Sequence, residues 1–441
     1  MITGVGVVSP LGNSVSEVWD ALRAGRSGVG SVPHMALDAY RTHVGGAVRD
    51  FQPRQYIKDA KALKLMTRPV RLGVAAIELA VRDAGLDGEG DAVRAGLAPE
   101  RVGSFVGSPG HAGDRDELLP ALDLSYGACG LDLKRFGADG IPIINPLWLL
   151  KSLANLVLYF VSMRLGAQGP NANICMSGTG GSMAIGEAFH VIRGGRAELA
   201  LAGGYESLLD EERLESFEPC GQLYVGDGAG ANASRPFDRG HAGFVPSEGA
   251  AFMVLEELAH ALGRSARIYG EVCGYGSAAS GLAERPNDSA EAFVAAMEAA
   301  LADGGVSASQ VGGIFAHGMA TSAGDRAEAE AMAQLLGARA ATTPVTAVKS
   351  LTGNLLAGSG PLELAGALAA LLPEHASALG APTQASDGFM PAILNCEHPE
   401  PDLGLDLVRG EARPGRFRHL LLNASGMGGT TASLLVDRYL G

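Results

Sequence analysis

The stretch from Gly169 to Gly186, GPNANICMSGTGGSMAIG, restricts the fold of this chain more than any other. Asn173, Ile174 and Cys175 read as the end of a short strand. Gly178, Gly180 and Gly181 supply the backbone freedom of a tight turn, and Ser182 to Arg193 has helical periodicity. An elbow of this kind lifts one side chain into a cavity and aims the first N–H groups of the following helix at it. Many acyl-transfer enzymes present a nucleophile in this way.

The rest of the chain alternates short strands with amphipathic helices across Gly-rich connections. Strands are expected at ITGVGVV, RVGSFVG, ELALAGGYE, AAFMVLE, RIYGEVCGYG, GGIFAHG and HLLLNASG. Helices are expected at SVSEVWDALRAG, RLGVAAIELAVRDAG, EAFVAAMEAALADG and PLELAGALAALLPE. No segment is biased enough in Pro, Ser or charge to be a long disordered linker, so the pattern is that of a compact α/β protein.

The elbow, its GP and IG flanks and the LALAGGYES that follows resemble the active-site segment of the β-ketoacyl-acyl carrier protein synthases. The resemblance runs the length of the chain. It takes in ITGVGVVSPLGNSVSEVWDALRAGRSGV, RPFDRGHAGFVPSEGAAFMVLEELAHA, AHGMATSAGDRAEAEAM, KSLTGNLLAGSGPLELAGAL and GMGGTTASLLV, in that order. It implies a thiolase-like α/β fold of five layers, αβαβα, built from two duplicated halves, 1–262 and 263–441. It also implies an acyl carrier protein as partner and a dimer, either of two identical chains or with a partner ketosynthase. The motifs call for no cofactor and no metal.

The elbow departs from the family at its central position. In condensing members a cysteine stands eight residues after the Pro of GP and eight before the Gly of IG, and that position is Gly178. Cys175 is three residues early, and the alternation of an extended strand turns it to the opposite face, where a small buried apolar residue is the plainer reading. Ser177 and Thr179 flank the turn as hydroxyl candidates for a nucleophile, without a base placed for either by the motif. All three count as expected pocket residues.

In the C-terminal half FAHGMATSAGDRAEAE resembles the segment that carries the family's first catalytic histidine, here His317. Asp325 and Glu328 match the acidic positions that follow, and Lys349 in VKSLTGN matches the family's lysine. The second histidine of the family, five residues after that lysine, is Asn354. A His and an Asn can both aim N–H donors at the carbonyl oxygen of a malonyl thioester, but Asn carries no proton, so acid–base work falls on His317. Where the family has a gating aromatic in a Gly-rich turn, this chain has Met427, whose plainer reading is a turn packed under the elbow.

Of the ionisable side chains, 34 are basic and 48 acidic, a net charge of −14 that argues against nucleic acid as a partner. One basic island interrupts the acidic surface. Lys58, Lys61, Lys64, Arg68 and Arg71 recur at helical spacing along KDAKALKLMTRPVR, a face suited to an acidic carrier protein or simply solvated. Five cysteines without paired spacing, and no secretory leader, point to a reducing, cytoplasmic setting. The longest apolar helix, expected over Trp148 to Leu165, carries Lys151, Asn155 and Arg164 and fits a core or a subunit interface better than a membrane. The preceding stretch, 109–147, lacks clear periodicity. By resemblance it caps the acyl pocket and adds dimer contacts, and by composition it reads as an ordinary surface insertion.

Loss of the nucleophile on a retained scaffold resembles the chain length factors, the non-condensing partners of ketosynthases in type II polyketide synthases. Those proteins carry glutamine at the position of Gly178 and have lost the first histidine, whereas His317 is retained. Two functions therefore stand. One is a pocket-shaping subunit beside an active ketosynthase of polyketide or fatty-acid synthesis. The other is an enzyme that decarboxylates malonyl thioesters or transfers acyl groups without an acyl-cysteine.

Overall fold

The computed structural model describes residues 1–441 apart from 36–39, 87, 89–92, 111–114, 227–229, 282–288 and 373–387. Two large sheets form its frame. The first contains β1 (Ile2–Val8), β2 (Val102–Gly107), β3 (Asn171–Ile174), β4 (Leu199–Ser207) and β5 (Glu248–Glu256), in the order β1-β5-β4-β2-β3. The second contains β6 (Glu271–Ala279), β7 (Gly313–Phe315), β8 (Pro344–Thr346), β9 (Asp406–Leu407), β10 (Leu420–Gly426) and β11 (Thr430–Asp437), in the order β9-β8-β7-β10-β11-β6.

The two sheets repeat one plan. In the first, β1 and β4 each run antiparallel to β5, and β4, β2 and β3 are mutually parallel. In the second, β6 and β10 each run antiparallel to β11, and β10, β7 and β8 are mutually parallel. Strand β3 of the first half thus corresponds to β8 of the second, and β2 to β7. Loops that leave corresponding strands reach corresponding places, so the elbow after β3 and the segment after β8 converge at the seam between the halves.

Helices complete five layers. After the short α1 (Val15–Ala24), capped by the Ser14 side chain, come α2 (Arg68–Asp83) and α3 (Leu156–Leu165), which cover the outer face of the first sheet. Helices α4 (Gly180–Arg193) and α7 (Ser359–Leu371) lie between the sheets, while α5 (Ala290–Gly304) and α6 (Ser322–Leu336) cover the outer face of the second. Helix α7 is apolar all round except for Ser359 at its start and Glu363, and is buried along its whole length, as a helix enclosed by two sheets must be. Each of its fully buried leucines contributes about 1.5–3 kcal/mol by leaving water. No helix of the described residues is long and apolar enough to cross a membrane.

The structure corrects three local expectations. The apolar run from Trp148 to Leu165 is two helices, Trp148–Lys151 and α3, with Ser152 to Asn155 between them. Within it Leu156, Val157, Val161 and Leu165 are buried, but Leu149, Leu150, Leu153, Tyr159 and Met163 are exposed. The basic island is not one helical face either. Ala62–Leu65 is a short 3-10 turn, and α2 starts only at Arg68 after an extended Met66 and Thr67. Finally, the described part of the 109–147 stretch, which lacks clear periodicity in sequence, does form regular elements: short helices and a small hairpin, Tyr126–Gly127 with Gly130–Leu131. Residues 111–114 of its GHAGDRDELL lie outside the described set.

Candidate active site

The elbow forms as its sequence suggests, with one element the sequence did not show. Ser177 has φ 50°, a left-handed conformation rare outside glycine, and Ser177–Thr179 make a 3-10 turn into α4, which starts at Gly180. Gly181 is required there, because a Cβ on it would lie 2.1 Å from the Ala357 carbonyl oxygen of the opposing loop. Thr179 is not a free hydroxyl. Its Oγ1 donates to the Met176 carbonyl at 2.8 Å and meets Thr430 Oγ1 at 3.1 Å. The Ser177 hydroxyl oxygen is buried without a partner.

Cys175 is exposed, contrary to the expectation of a buried apolar residue. It lies just past β3, an edge strand, where its sulfur meets Ser108 Oγ at 3.4 Å and accepts from Asn173 Nδ2 at 3.2 Å. Edge position explains the difference: strand alternation buries a face only where another layer covers it.

Gly178 is buried, and the space where a side chain would project is already filled. A Cβ built on Gly178 would stand 2.1 Å from the backbone oxygen of Ser425, at the end of β10. The Gly-rich turn therefore packs directly under the elbow. Met427 within it is only half-buried, which accords with a turn residue rather than a packed gate.

The Ser425 peptide also faces His317, because its N–H lies 3.2 Å from His317 Nδ1. On the other side Lys349 Nζ approaches Nδ1 at 3.1 Å, the His317 carbonyl at 2.8 Å and Glu363 Oε1 at 2.5 Å. Two donors at Nδ1 make that nitrogen the acceptor and place the ring proton on Nε2. Burial, and after it the Lys349 charge, hold the imidazole well below its usual pKa, so the ring is neutral and its Nε2–H is a fixed donor. His317 Nε2 is buried and has no partner.

Asn354 shows the same orphaned donor. Its Oδ1 accepts from the Leu356 N–H at 3.0 Å and from Ser359 Oγ at 3.2 Å, leaving Nδ2 buried and unpartnered. The loop that follows it, Leu356–Gly358, packs on the Ser177–Thr179 turn. A buried N–H without an acceptor costs on the order of 1–3 kcal/mol, so two orphaned donors on converging loops mark a place prepared for an acceptor atom.

Two acids of α6 hold the His317 loop by its backbone. Glu328 accepts from the His317 and Gly318 N–H groups at 2.8 and 2.9 Å, and Asp325 from those of Ala320 and Phe237 at 3.0 and 2.6 Å. Burial pushes the Asp325 carboxyl up to about 7 and raises that of Glu328. Asn423 Nδ2 reaches Glu328 at 3.1 Å, and Ser433 Oγ donates to Asn423 Oδ1 at 2.8 Å. Glu363, Ser359 and the Ser425 peptide were not foreseen from sequence. Only Glu363 had a visible signal, as the one acid inside an apolar helix.

The five cations of the basic island divide. Lys58, Lys61 and Lys64 are exposed. Arg68 instead chelates the buried Glu248, Nε to Oε2 at 2.7 Å and Nη2 to Oε1 at 2.5 Å. Arg71 is half-buried and donates to the Leu63 carbonyl at 3.3 Å, and burial lowers its pKa. No cluster of metal-ligating side chains occurs among the described residues.

Comparison with known proteins matches residues 1–261 to the beta-ketoacyl synthase N-terminal domain and 269–376 to the C-terminal domain. The chain belongs to the β-ketoacyl synthase family. It is 33% identical over 440 residues to 3-oxoacyl-(acyl-carrier-protein) synthase 2 of Coxiella burnetii, covering 99% of this chain and 98% of the relative. It is 32% identical to the protein of the same name from Vibrio cholerae, with 99% and 98% covered. Among solved structures, a β-ketoacyl synthase from Burkholderia phymatum superposes with a TM-score of 0.84 at 27% identity, covering 100% of this chain and 99% of that one. The ishigamide ketosynthase/chain length factor superposes with a TM-score of 0.83 at 26% identity, covering 100% and 98%. The five-layered arrangement is thus the thiolase-like fold of ketosynthases.

Proposed function

We propose that this ketosynthase-family chain is a non-condensing, chain length factor-like subunit that shapes the acyl pocket of a partner ketosynthase in a type II polyketide or fatty-acid system. The observation that carries this reading is the Ser425 carbonyl oxygen 2.1 Å from where a side chain on Gly178 would begin. The nucleophile is absent, and the backbone has closed over its place.

Intact-mass analysis after incubation with an acyl carrier protein bearing a labelled acyl group should find no acyl adduct on the purified chain. A stable adduct within 169–186 overturns the reading, and one on Cys175 means that the register of the elbow is wrong. Gly178→Cys should not acylate either. Forcing a side chain against a backbone carbonyl is expected to destabilise the fold by roughly 1–3 kcal/mol instead of creating a nucleophile.

A partner chain is supported by the surface. The exposed Leu149, Leu150, Leu153, Tyr159 and Met163 lie in one segment, and β3 is an edge strand. Apolar patches and open edges of this kind are covered by other chains in stable proteins. A solved relative pairs a type II polyketide acyl carrier protein with its ketosynthase, and we assign the exposed Lys61 and Lys64 to docking such a carrier, with Arg68 and Arg71 behind them. Sedimentation at micromolar concentration should show a dimer, and an active ketosynthase should displace the homodimer; a monomer at that concentration argues against the subunit role.

The two orphaned donors favour a second reading, in which the chain itself binds a malonyl thioester and decarboxylates it slowly. Nothing in that reaction requires an acyl-enzyme.

A further inference from the structure

A cleft of about 610 Å³ opens beside the first sheet, where the end of β4 meets the start of α2. Its wall holds an unusual set of atoms. Thr67 Oγ1, Arg71 Nε and Glu117 Oε2 belong to residues that line it, and each is buried without a hydrogen-bond partner. Thr67 stands at the N-cap of α2, yet its hydroxyl does not cap the helix, although a threonine there ordinarily does so. Glu117 gives its other oxygen to Lys151 Nζ at 2.5 Å. Glu206, only 2% exposed, completes the wall.

The unpartnered atoms comprise a donor, an acceptor and a hydroxyl that can serve as either. That combination suits a hydroxyl group better than a hydrocarbon. Several charges around the cleft are already paired, Arg68 with Glu248, Arg115 with Glu211 and Glu215, and Lys151 with Glu117, and the three unpartnered atoms are the contacts left open.

An apolar bridge joins this cleft to the orphaned donors. Met35 and Leu209 line the cleft and pack in one cluster with Met319 and Leu356. Met319 is two residues from His317, and Leu356 is two residues from Asn354. Leu356 has φ 42°, a strained backbone for a bulky residue, of the kind that concentrates at functional sites.

We infer that the site takes an acyl thioester whose chain is apolar in its middle and ends in a hydroxyl. The carbonyl sits on His317 and Asn354, the methylenes pass Met319, Leu356 and Leu209, and the terminal hydroxyl meets Thr67 and Glu117 in the cleft. This rests on the reading that His317 and Asn354 hold a thioester carbonyl.

Calorimetry with the whole chain and two N-acetylcysteamine thioesters, octanoyl and 8-hydroxyoctanoyl, tests it. The hydroxylated thioester should bind about tenfold more tightly, the size of one good hydrogen bond in a dry site. Thr67→Val and Glu117→Leu should each bring that ratio close to one without weakening octanoyl binding. Because the Glu117 side chain is 26% exposed, Glu117→Leu decides the matter even if Thr67→Val unfolds. Equal affinities, or a preference that survives Glu117→Leu, overturn the inference. His317→Ala reports on the other reading separately: it should weaken both thioesters alike, and failure to weaken either removes carbonyl binding.

Discussion

Lys349→Met is expected to destabilise the folded chain by roughly 3–5 kcal/mol, the cost of leaving one member of a buried ion pair alone. Lys349 is 2% exposed, and its ammonium is shared between Glu363, the His317 carbonyl and His317 Nδ1. Without it no cation compensates the Glu363 carboxylate inside α7. Burial already pushes Glu363 up to about 7, against the pull of Lys349. A carboxyl raised in the folded state contributes stability that is complete below its unfolded value and is lost as pH rises through the folded value. Removing Lys349 raises that folded value further, so the loss continues beyond pH 7 in the variant after it has ended in the parent. The gap between the two proteins should therefore be wider at pH 8.5 than at pH 6. Urea unfolding at both pH values measures it, and a gap below about 1 kcal/mol that is the same at both would show that the pair does not hold the site. Lys349→Met combined with Glu363→Leu should recover most of the loss, since an apolar pair of similar volume needs no compensation.

The frame of the molecule was legible because its signals are local. Strand alternation, helical periodicity and glycines at the elbow depend on neighbours in sequence, and the strands Ile2–Val8, Val102–Gly107, Leu199–Ser207, Glu248–Glu256, Glu271–Ala279, Gly313–Phe315 and Leu420–Gly426 lie close to where those patterns put them, whereas Pro344–Thr346, Asp406–Leu407 and Thr430–Asp437 are not among the expected strands. The resemblance expects His317, Lys349 and Asn354 at one site, and Lys349 Nζ lies 3.1 Å from His317 Nδ1. What sequence did not reveal depends on which layer covers a residue. Cys175 is a small apolar side chain by type, yet it lies beyond an edge strand and stays exposed. The run Trp148 to Leu165 has helical composition throughout, but Ser152 to Asn155 break it because its two ends serve different surfaces. In sequence Arg68 reads as one cation of a docking or solvated face, yet the buried Glu248, 180 residues away, holds it. The filling of the space beside Gly178 by the Ser425 carbonyl was equally out of reach, since a backbone carbonyl leaves no mark in a sequence.

His317→Ala should slow the release of carbon dioxide from a malonyl carrier protein by about 100-fold, the usual effect of removing one oxyanion donor. In that reaction the bond between the carboxylate and the methylene carbon breaks, and its electron pair moves through the methylene carbon onto the thioester oxygen. Carbon dioxide leaves, and a proton from water then converts the enolate carbon into the methyl of an acetyl thioester. The chain needs only to hold the enolate oxygen, which is what the unpartnered His317 Nε2 and Asn354 Nδ2 are free to do. The ring is kept neutral by burial and by Lys349, so it donates without having to lose or gain a proton. The rate should consequently show no inflection at the ordinary histidine value of about 6.5. Asn354→Ala should cost a comparable factor, and Asn354→His, which restores an N–H of longer reach, should cost less than Asn354→Ala. A rate equal to the buffer blank, or one indifferent to His317→Ala, would leave His317 as an inherited pocket residue and the chain as a subunit alone. An inflection near pH 6.5 would mean instead that the imidazole titrates and shuttles a proton, against the geometry that aims two donors at Nδ1 and leaves the ring's proton on Nε2.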